Sequence, residues 1–245
     1  MSLHRFFIPP DRWNPENPAL DEEEAHHCTD VLRLKPGDRV VVFNGQGVES
    51  AAEILTTGRH TVLLKTHSVQ KTPPPPARIT LCQAIPKGKN MELIIEKATE
   101  LGVAEIIPVL SERTVVRLDP GEAQKKQEKW QRTAVGACKQ CGQNWLPHIG
   151  LPVGMDRLLA AKPAADLLLI AAIEEGAQRL HRILAEQPQR PGSALICIGP
   201  EGDFTPAEVG MAKSYGCQPM TLGPIILRTE TAAIFSVSIL AHELF

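Results

Sequence analysis

The sequence predicts an α/β protein, with a parallel-sheet domain occupying the longer C-terminal part and a small all-β module before it. Three observations carry this. Short β-branched runs over residues 5–71 are punctuated by Pro36-Gly37-Asp38, Asn44-Gly45 and Thr57-Gly58, the rhythm of a small barrel or sandwich. Four prolines at 73–76 then interrupt the chain, because proline enters neither a helix interior nor a central strand and favours an extended spacer. Beyond them apolar strands alternate with amphipathic helices, the pattern of a parallel sheet. The expected division is a module at 1–72, a spacer at 73–77 and a domain at 78–245.

Composition narrows the function. With 26 basic and 28 acidic residues among 245, no global charge favours nucleic acid, so any RNA contact needs a local patch. The N-terminal apolar run stops at Pro9-Pro10, too early for a signal peptide, and no run is long enough to span a bilayer. Six scattered cysteines read as reduced core thiols rather than a disulfide framework, and the expected location is the cytoplasm. Cys138-Lys139-Gln140-Cys141 spells C-x-x-C, but only His148 is near and the pair ends a helix. No metal site is expected, and two packed thiols are the preferred reading.

In the first module one helix is expected over 22–32, opened by acidic residues, and strands end at Asn44-Gly45 and resume at Val48 and Thr61. After the spacer, residues 79–85 form an apolar strand, and Asn90 is the expected N-cap of a helix over 91–101. Met91, Ile94, Ile95, Ala98 and Leu101 make its apolar stripe and Gly102 its stop. A strand over 103–110 completes the unit. Lys87 and Lys89 lie in the loop leaving the first strand, where open α/β sheets place ligands, although two solvated loop lysines are the plainer account. A helix over 121–141 carries Trp130, Ala134, Ala137 and Cys141 on one face. Lys125, Lys129 and Arg132 lie on another, the best local basic patch in the chain. A strand over 166–173 and a helix ending near 187 follow.

The informative stretch is 194–232. The strand 194–198 runs into Gly199-Pro200-Glu201-Gly202-Asp203-Phe204, and a second strand ends in Thr221-Leu222-Gly223-Pro224 before Arg228-Thr229-Glu230 opens the last helix. Strand, Gly-Pro turn and helix together present bare backbone and unpaired N–H groups, a means of binding a small ligand through the main chain. Thr205-Pro206-Ala207-Glu208 spells a capping box with proline at the first helical position. The helix at 231–241 has no charge and is apolar on all sides, which predicts burial against both the sheet and a second subunit. No G-x-G-x-x-G after a strand, Walker loop, G-x-S-x-G or H-E-x-x-H occurs. Arg228 beside Glu201 and Glu230 reads equally as an ion pair or as a site.

The ordered set Gly199-Pro200-Glu201-Gly202, Leu222-Gly223-Pro224 and Leu227-Arg228-Thr229-Glu230-Thr231-Ala232 resembles the SPOUT methyltransferases of the RsmE type. Arg5-Phe6-Phe7, Lys87-Gly88, Lys97-Ala98-Thr99-Glu100-Leu101-Gly102-Val103 and Gln140-Cys141-Gly142 extend the likeness over the whole chain. The resemblance implies an N-terminal PUA-like β-barrel, a C-terminal trefoil-knotted sheet with its knot and site near 194–232, and a homodimer with the active site at the subunit interface. It implies S-adenosylmethionine bound by Ile198, Gly199, Glu201, Gly202, Leu222, Gly223 and Leu227, and methylation of a uridine N3 in 16S rRNA of the small ribosomal subunit.

In that chemistry Arg228 holds charge developing on the uracil oxygens. Glu230 is either the base that takes the N3 proton or a dipole partner of the last helix. Arg5, Lys87, Lys89, Lys125, Lys129 and Arg132 are the candidate RNA contacts. Two positions depart from the family pattern: Asp203 stands where the last Gly of GPEGG is usual, and Ile225 where an Arg is common. The alternatives are a related enzyme methylating another RNA position and a noncatalytic RNA-binding protein of the same fold.

Overall fold

A computed structural model describes residues 3–161 and 164–245, so Met1 and Ser2 of the first module and Lys162-Pro163 of the second lie outside the described residues. The chain divides into two units, one of residues 1–74 with 135–146 and one of 75–134 with 147–245. The first unit's main segment stops at residue 74, within the proline run, and the segment 135–146 groups with it.

The first unit contains β1 (His4–Phe7), β2 (Ala19–Asp21), α1 (Glu22–His26), β3 (Arg39–Phe43), β4 (Val48–Thr57) and β5 (Thr61–Lys71). The five strands form one sheet in the order β1-β3-β4-β5-β2, with β1 parallel to β3 and the other pairs antiparallel. Alternate residues such as Val40, Val42, Ala52, Ile54, Val62 and Leu64 face one core, as period-2 patterning requires. The helix expected over 22–32 is shorter: α1 widens into a single π-helical turn (His27–Val31), and the chain leaves through Arg33 at φ 56°. The β3–β4 turn is held by Asn44 Oδ1, which accepts from the amides of Gln46 (2.8 Å) and Val48 (3.1 Å). In it Gly47, at φ 81°, lies so close to Trp145 that a Cβ would come within 2.6 Å of the ring. Trp145 Nε1 in turn donates to the carbonyls of Thr72 and Pro73 and fixes the start of the proline run.

The second unit contains β6 (Arg78–Ala84), α2 (Asn90–Glu100), β7 (Glu105–Leu110) and α3 (Pro120–Cys141), whose last turns belong to the first unit. There follow β8 (His148–Ile149), β9 (Val153–Gly154), α4 (Met155–Ala160), β10 (Leu167–Ala171), β11 (Gln178–Arg179) and α5 (Leu180–Ala185). The final elements are β12 (Ser193–Ile198), α6 (Pro206–Ser214), β13 (Gln218–Thr221) and α7 (Thr229–Leu244). All strand pairs are parallel, in the order β11-β13-β10-β12-β6-β7-β8, with β9 also on β7. The central strands are buried beyond their first residues and largely apolar, as a sheet covered on both faces demands. The α2 stripe of Met91, Ile94, Ile95 and Ala98 is buried, and Gly102 at φ 83° ends the helix while Val103 N returns to Ala98 O.

Four expectations change. Asn90 is the first helical residue of α2 rather than its cap, because Lys89 occupies that position. The strand expected over 166–173 ends at Ala171: Ala172 N gives the last ladder bond, to Met220 O, and the next amide, Ile173 N, goes to the Asp203 side chain instead. The helix expected up to 187 forms only over Leu180–Ala185, because Gly176 sits at φ 87° and Gln178–Arg179 pair with β13 as a strand. On α3 it is Cys138, not Cys141, that joins Trp130, Ala134 and Ala137 in the interior; Cys141 is exposed. The two packed thiols of the C-x-x-C are therefore one, and burial pushes the Cys138 thiol up to about 12, leaving it unreactive. Among the described residues no helix is long and apolar enough to cross a membrane, and no cluster of His, Cys, Asp or Glu could hold a metal ion.

Candidate active site

Because β10 lies between β12 and β13, the carboxyl ends of three neighbouring strands meet, and their exit loops enclose one cavity of about 530 Å³. This is the crevice position at which open parallel sheets bind ligands, and the volume suits a small organic molecule. One wall is the turn after β12 (Ile198 to Asp203) and another the loop after β13 (Leu222 to Leu227). Ala171, Ala172 and Ile173 supply the third wall.

Gly199 is held from behind. Thr229 Oγ1 at the start of α7 donates to the Gly199 carbonyl at 2.6 Å and accepts from Gln83 Nε2 at 3.0 Å, and all three groups are buried. A side chain on Gly199 would meet Asp203 Oδ1 at 3.0 Å and Phe204 N at 3.1 Å, so only glycine lets the turn close. Arg113, from the loop after β7, donates from Nη1 to the Gly202 carbonyl at 2.7 Å and braces the outside of the turn. Glu201 Oε1 accepts from the main-chain N of Lys87 at 2.9 Å, tying the β6 exit loop to the same turn. The capping box of α6 forms as its sequence requires: Thr205 Oγ1 accepts from Glu208 N and Glu208 Oε2 from Thr205 N.

Of the residues expected to contact a cofactor, Ile198, Gly199, Glu201, Leu222, Gly223 and Leu227 line the cavity. Gly202 is absent from the lining and instead gives its carbonyl to Arg113. Arg228 and Glu230 also line it. Among the described residues Arg228 makes no ion pair with Glu201 or Glu230, so the ion-pair account of this cluster falls away; its side chain is exposed. Glu230 is half-buried and its Oε2 accepts from Asn90 Nδ2 at 3.3 Å. Asn90, Asp203 and the Ala171–Ile173 wall are cavity residues that the sequence pattern did not single out as such. Only the unusual Asp203 carried a signal, as a departure from a glycine.

The cavity holds three carboxylates (Glu201, Asp203 and Glu230) against one guanidinium, with apolar surface from Ile198, Met220, Leu222 and Leu227. Opposite charge within a low-dielectric cleft favours a ligand combining a flat apolar body with a positive group.

The candidate RNA contacts divide. Lys87 and Lys89 are exposed in the loop after β6, and Lys125 and Arg132 are exposed on α3. Lys129 is also exposed but already pairs with Glu92 at 2.6 Å, so the α3 stripe carries less free charge than its sequence suggests. Arg5 is a correction. Its side chain is 14% exposed, and its guanidinium donates to Glu49 (2.8 Å) and Asn144 (2.6 Å) while lying over the Phe43 ring. A phosphate would have to displace these partners, and Arg5 serves the fold of the first unit instead.

Comparison with known proteins matches this geometry to relatives. An RNA methyltransferase domain family matches residues 73–241 and an RNA methyltransferase PUA domain family residues 20–66. The chain is 30% identical to the ribosomal RNA small subunit methyltransferase E of Bacillus subtilis over 98% of its own length and 97% of the relative's. It is 31% identical to the Synechocystis protein of the same name, over 94% of this chain and 74% of that one. Among solved structures, a Legionella pneumophila methyltransferase in complex with bound cofactor SAM superposes with a TM-score of 0.90 at 33% identity, covering 99% and 98% of the two chains. The Neisseria gonorrhoeae ribosomal RNA small subunit methyltransferase E, bound to S-adenosyl methionine, gives 0.86 at 30% identity over 98% of each chain.

Proposed function

Since the chain belongs to the ribosomal RNA small subunit methyltransferase E family, we propose that it methylates N3 of a uridine in 16S rRNA, using S-adenosylmethionine held in the cavity between the β10, β12 and β13 exit loops. The observation that carries the reading is the pairing of a walled cavity with Arg228, which has no ion-pair partner among the described residues, and Glu230 on its lining. The donor set fits: apolar walls accept an adenosine body, and the excess of carboxylates favours a ligand bearing sulfonium and ammonium groups. When bound, this cofactor supplies an electrophilic methyl group whose bond electrons stay with sulfur.

The chain's own residues handle the proton and the charge. Uracil N3 must lose its proton as its electron pair forms the new bond, and in this reading Glu230 takes it, a role supported by Asn90 Nδ2 donating to one of its carboxylate oxygens. Arg228 holds the negative charge that spreads to the uracil oxygens. Lys87, Lys89, Lys125 and Arg132 are the cations offered to flanking phosphates. A homodimer belongs to the same proposal, supported by the outward face of α7, where Phe235 is 44% exposed beside partly exposed Ile234 and Ile239. The order β13-β10-β12-β6 supports a knotted path over 194–232; a knot would leave the chain short of full contour length when pulled from its ends.

The test is calorimetric titration with S-adenosylmethionine alongside methylation of small ribosomal subunits, for wild type, Arg228→Ala and Glu230→Gln. Both variants are expected to bind the cofactor within about threefold of wild type while methylation falls ~10²-fold or more, the usual scale of a lost acid–base or charge-stabilising group. A folded wild type that does not bind the cofactor overturns the proposal.

A further inference from the structure

Asp203 is one of only three non-glycine residues at positive φ among the described residues, at 60°. Aspartate tolerates this region better than most side chains. The conformation turns its carboxylate toward the loop after β10. Oδ1 accepts from the next amide, Phe204 N, at 2.8 Å, and Oδ2 accepts from Ile173 N at 3.3 Å. One side chain of the turn after β12 thus holds the loop after β10, and both segments line the cavity. Gly199 leaves the room for this, since Asp203 Oδ1 sits where a Cβ would stand only 3.0 Å away.

The loop needs the contact. It leaves β10 with Ala172 N bonded to Met220 O, and Gly176 at φ 87° turns it back. Between them its side-chain tether besides Asp203 is the exposed Lys213–Glu174 pair at 3.1 Å, a kind of contact that contributes little. Ile173 itself is 72% exposed, so packing does not hold it.

We infer that Asp203 is a positioning residue that latches the β10 exit loop to the β12 turn and so forms the third cavity wall before ligand arrives. A wall already in place spares the ligand the entropy of ordering it, which raises affinity without changing the chemical step. Only the binding arm of the test rests on the cavity being the cofactor site.

Asp203→Gly keeps the backbone conformation and deletes the latch, while Asp203→Asn keeps one acceptor. Hydrogen exchange of the ligand-free full chain is expected to speed up about tenfold over residues 172–174 in Asp203→Gly, with β12 and α7 unchanged. Affinity for S-adenosylmethionine is expected to fall ~10-fold, the scale of one hydrogen bond to a charged group, with KM raised. Asp203→Asn falls between the two. Unchanged exchange in Asp203→Gly overturns the latch, and faster exchange with wild-type affinity overturns its role in the site. A wild type that fails to bind the cofactor removes the proposed function, and the exchange comparison then decides the latch alone.

Discussion

Thr229 offers the sharpest link between stability and the site. Its hydroxyl donates to the Gly199 carbonyl at 2.6 Å and accepts from Gln83 Nε2 at 3.0 Å, within a region closed to water. Thr229→Val preserves shape and removes both bonds. Each typical bond contributes about 1 kcal/mol net, and a buried group left without a partner costs about 1–3 kcal/mol more. Gln83 keeps only its Nε2 bond to Ala84 O, and its Oε1 already has no partner, so the amide cannot reorganise cheaply. The expected loss is roughly 2–4 kcal/mol, a large share of a stability of about 5–15 kcal/mol. Thr229→Ser keeps the hydroxyl and is expected to lose less than about 1 kcal/mol, mainly a methyl group. Urea unfolding followed by circular dichroism measures both, and adding Gln83→Met to each closes a double-mutant cycle with an expected coupling of about 1–2 kcal/mol. Because Gly199 forms the cavity wall, Thr229→Val is also expected to weaken cofactor binding. A Val variant within about 0.5 kcal/mol of wild type, or a Ser variant no better than Val, would refute the reasoning.

Two further outcomes follow from burial and charge. In the first unit Lys139 Nζ pairs with Glu24 at 2.9 Å, both side chains being 19% exposed, and burial raises the Glu24 carboxyl above its ordinary value despite the opposing lysine. A raised folded-state value means Glu24's contribution to stability is complete below the ordinary carboxylate range and lost as pH rises through the folded value. Removing the cation raises that value further. Lys139→Ala is therefore expected to lower Tm more at pH 8 than at pH 5, and equal losses at the two pH values would contradict the account. Lys139 also lies over the Phe6 ring, and burial first and this lysine second lower the nearby His27; that contribution runs the other way, lost as pH falls below the histidine range. On α7, Phe235→Glu places a charge in the exposed apolar strip, and sedimentation is expected to show a dimer for wild type and a monomer for the variant. A variant that remains dimeric moves the interface elsewhere.

What the sequence made legible was local. The α6 capping box, the Gly102 stop and the apolar stripe of α2 depend on neighbours a few residues apart, and each forms where its spacing places it. The two turns at 199–203 and 222–227 were readable for the same reason, as glycine and proline specify backbone shape over four residues. The third wall depends on something else. Residues 171–173 reach the cavity only because β10 inserts between β12 and β13, an order that no spacing within the segment encodes. Read alone, that apolar run extends naturally to Ile173. Its pairing ends with the ladder bond from Ala172 N to Met220 O, because the next amide, Ile173 N, finds the Asp203 side chain, which lies 30 residues away in sequence. Arg5 fails in the same way: its sequence shows a cation near the N-terminus, while Glu49 and Asn144, supplied by β4 and by the segment after α3, decide that the charge is spent inside the fold. Asp203 joins the two kinds of information. Its backbone role was visible as an aspartate in a glycine's place, but its partner was not, and the partner is what turns a tolerated substitution into a contact that shapes the cavity.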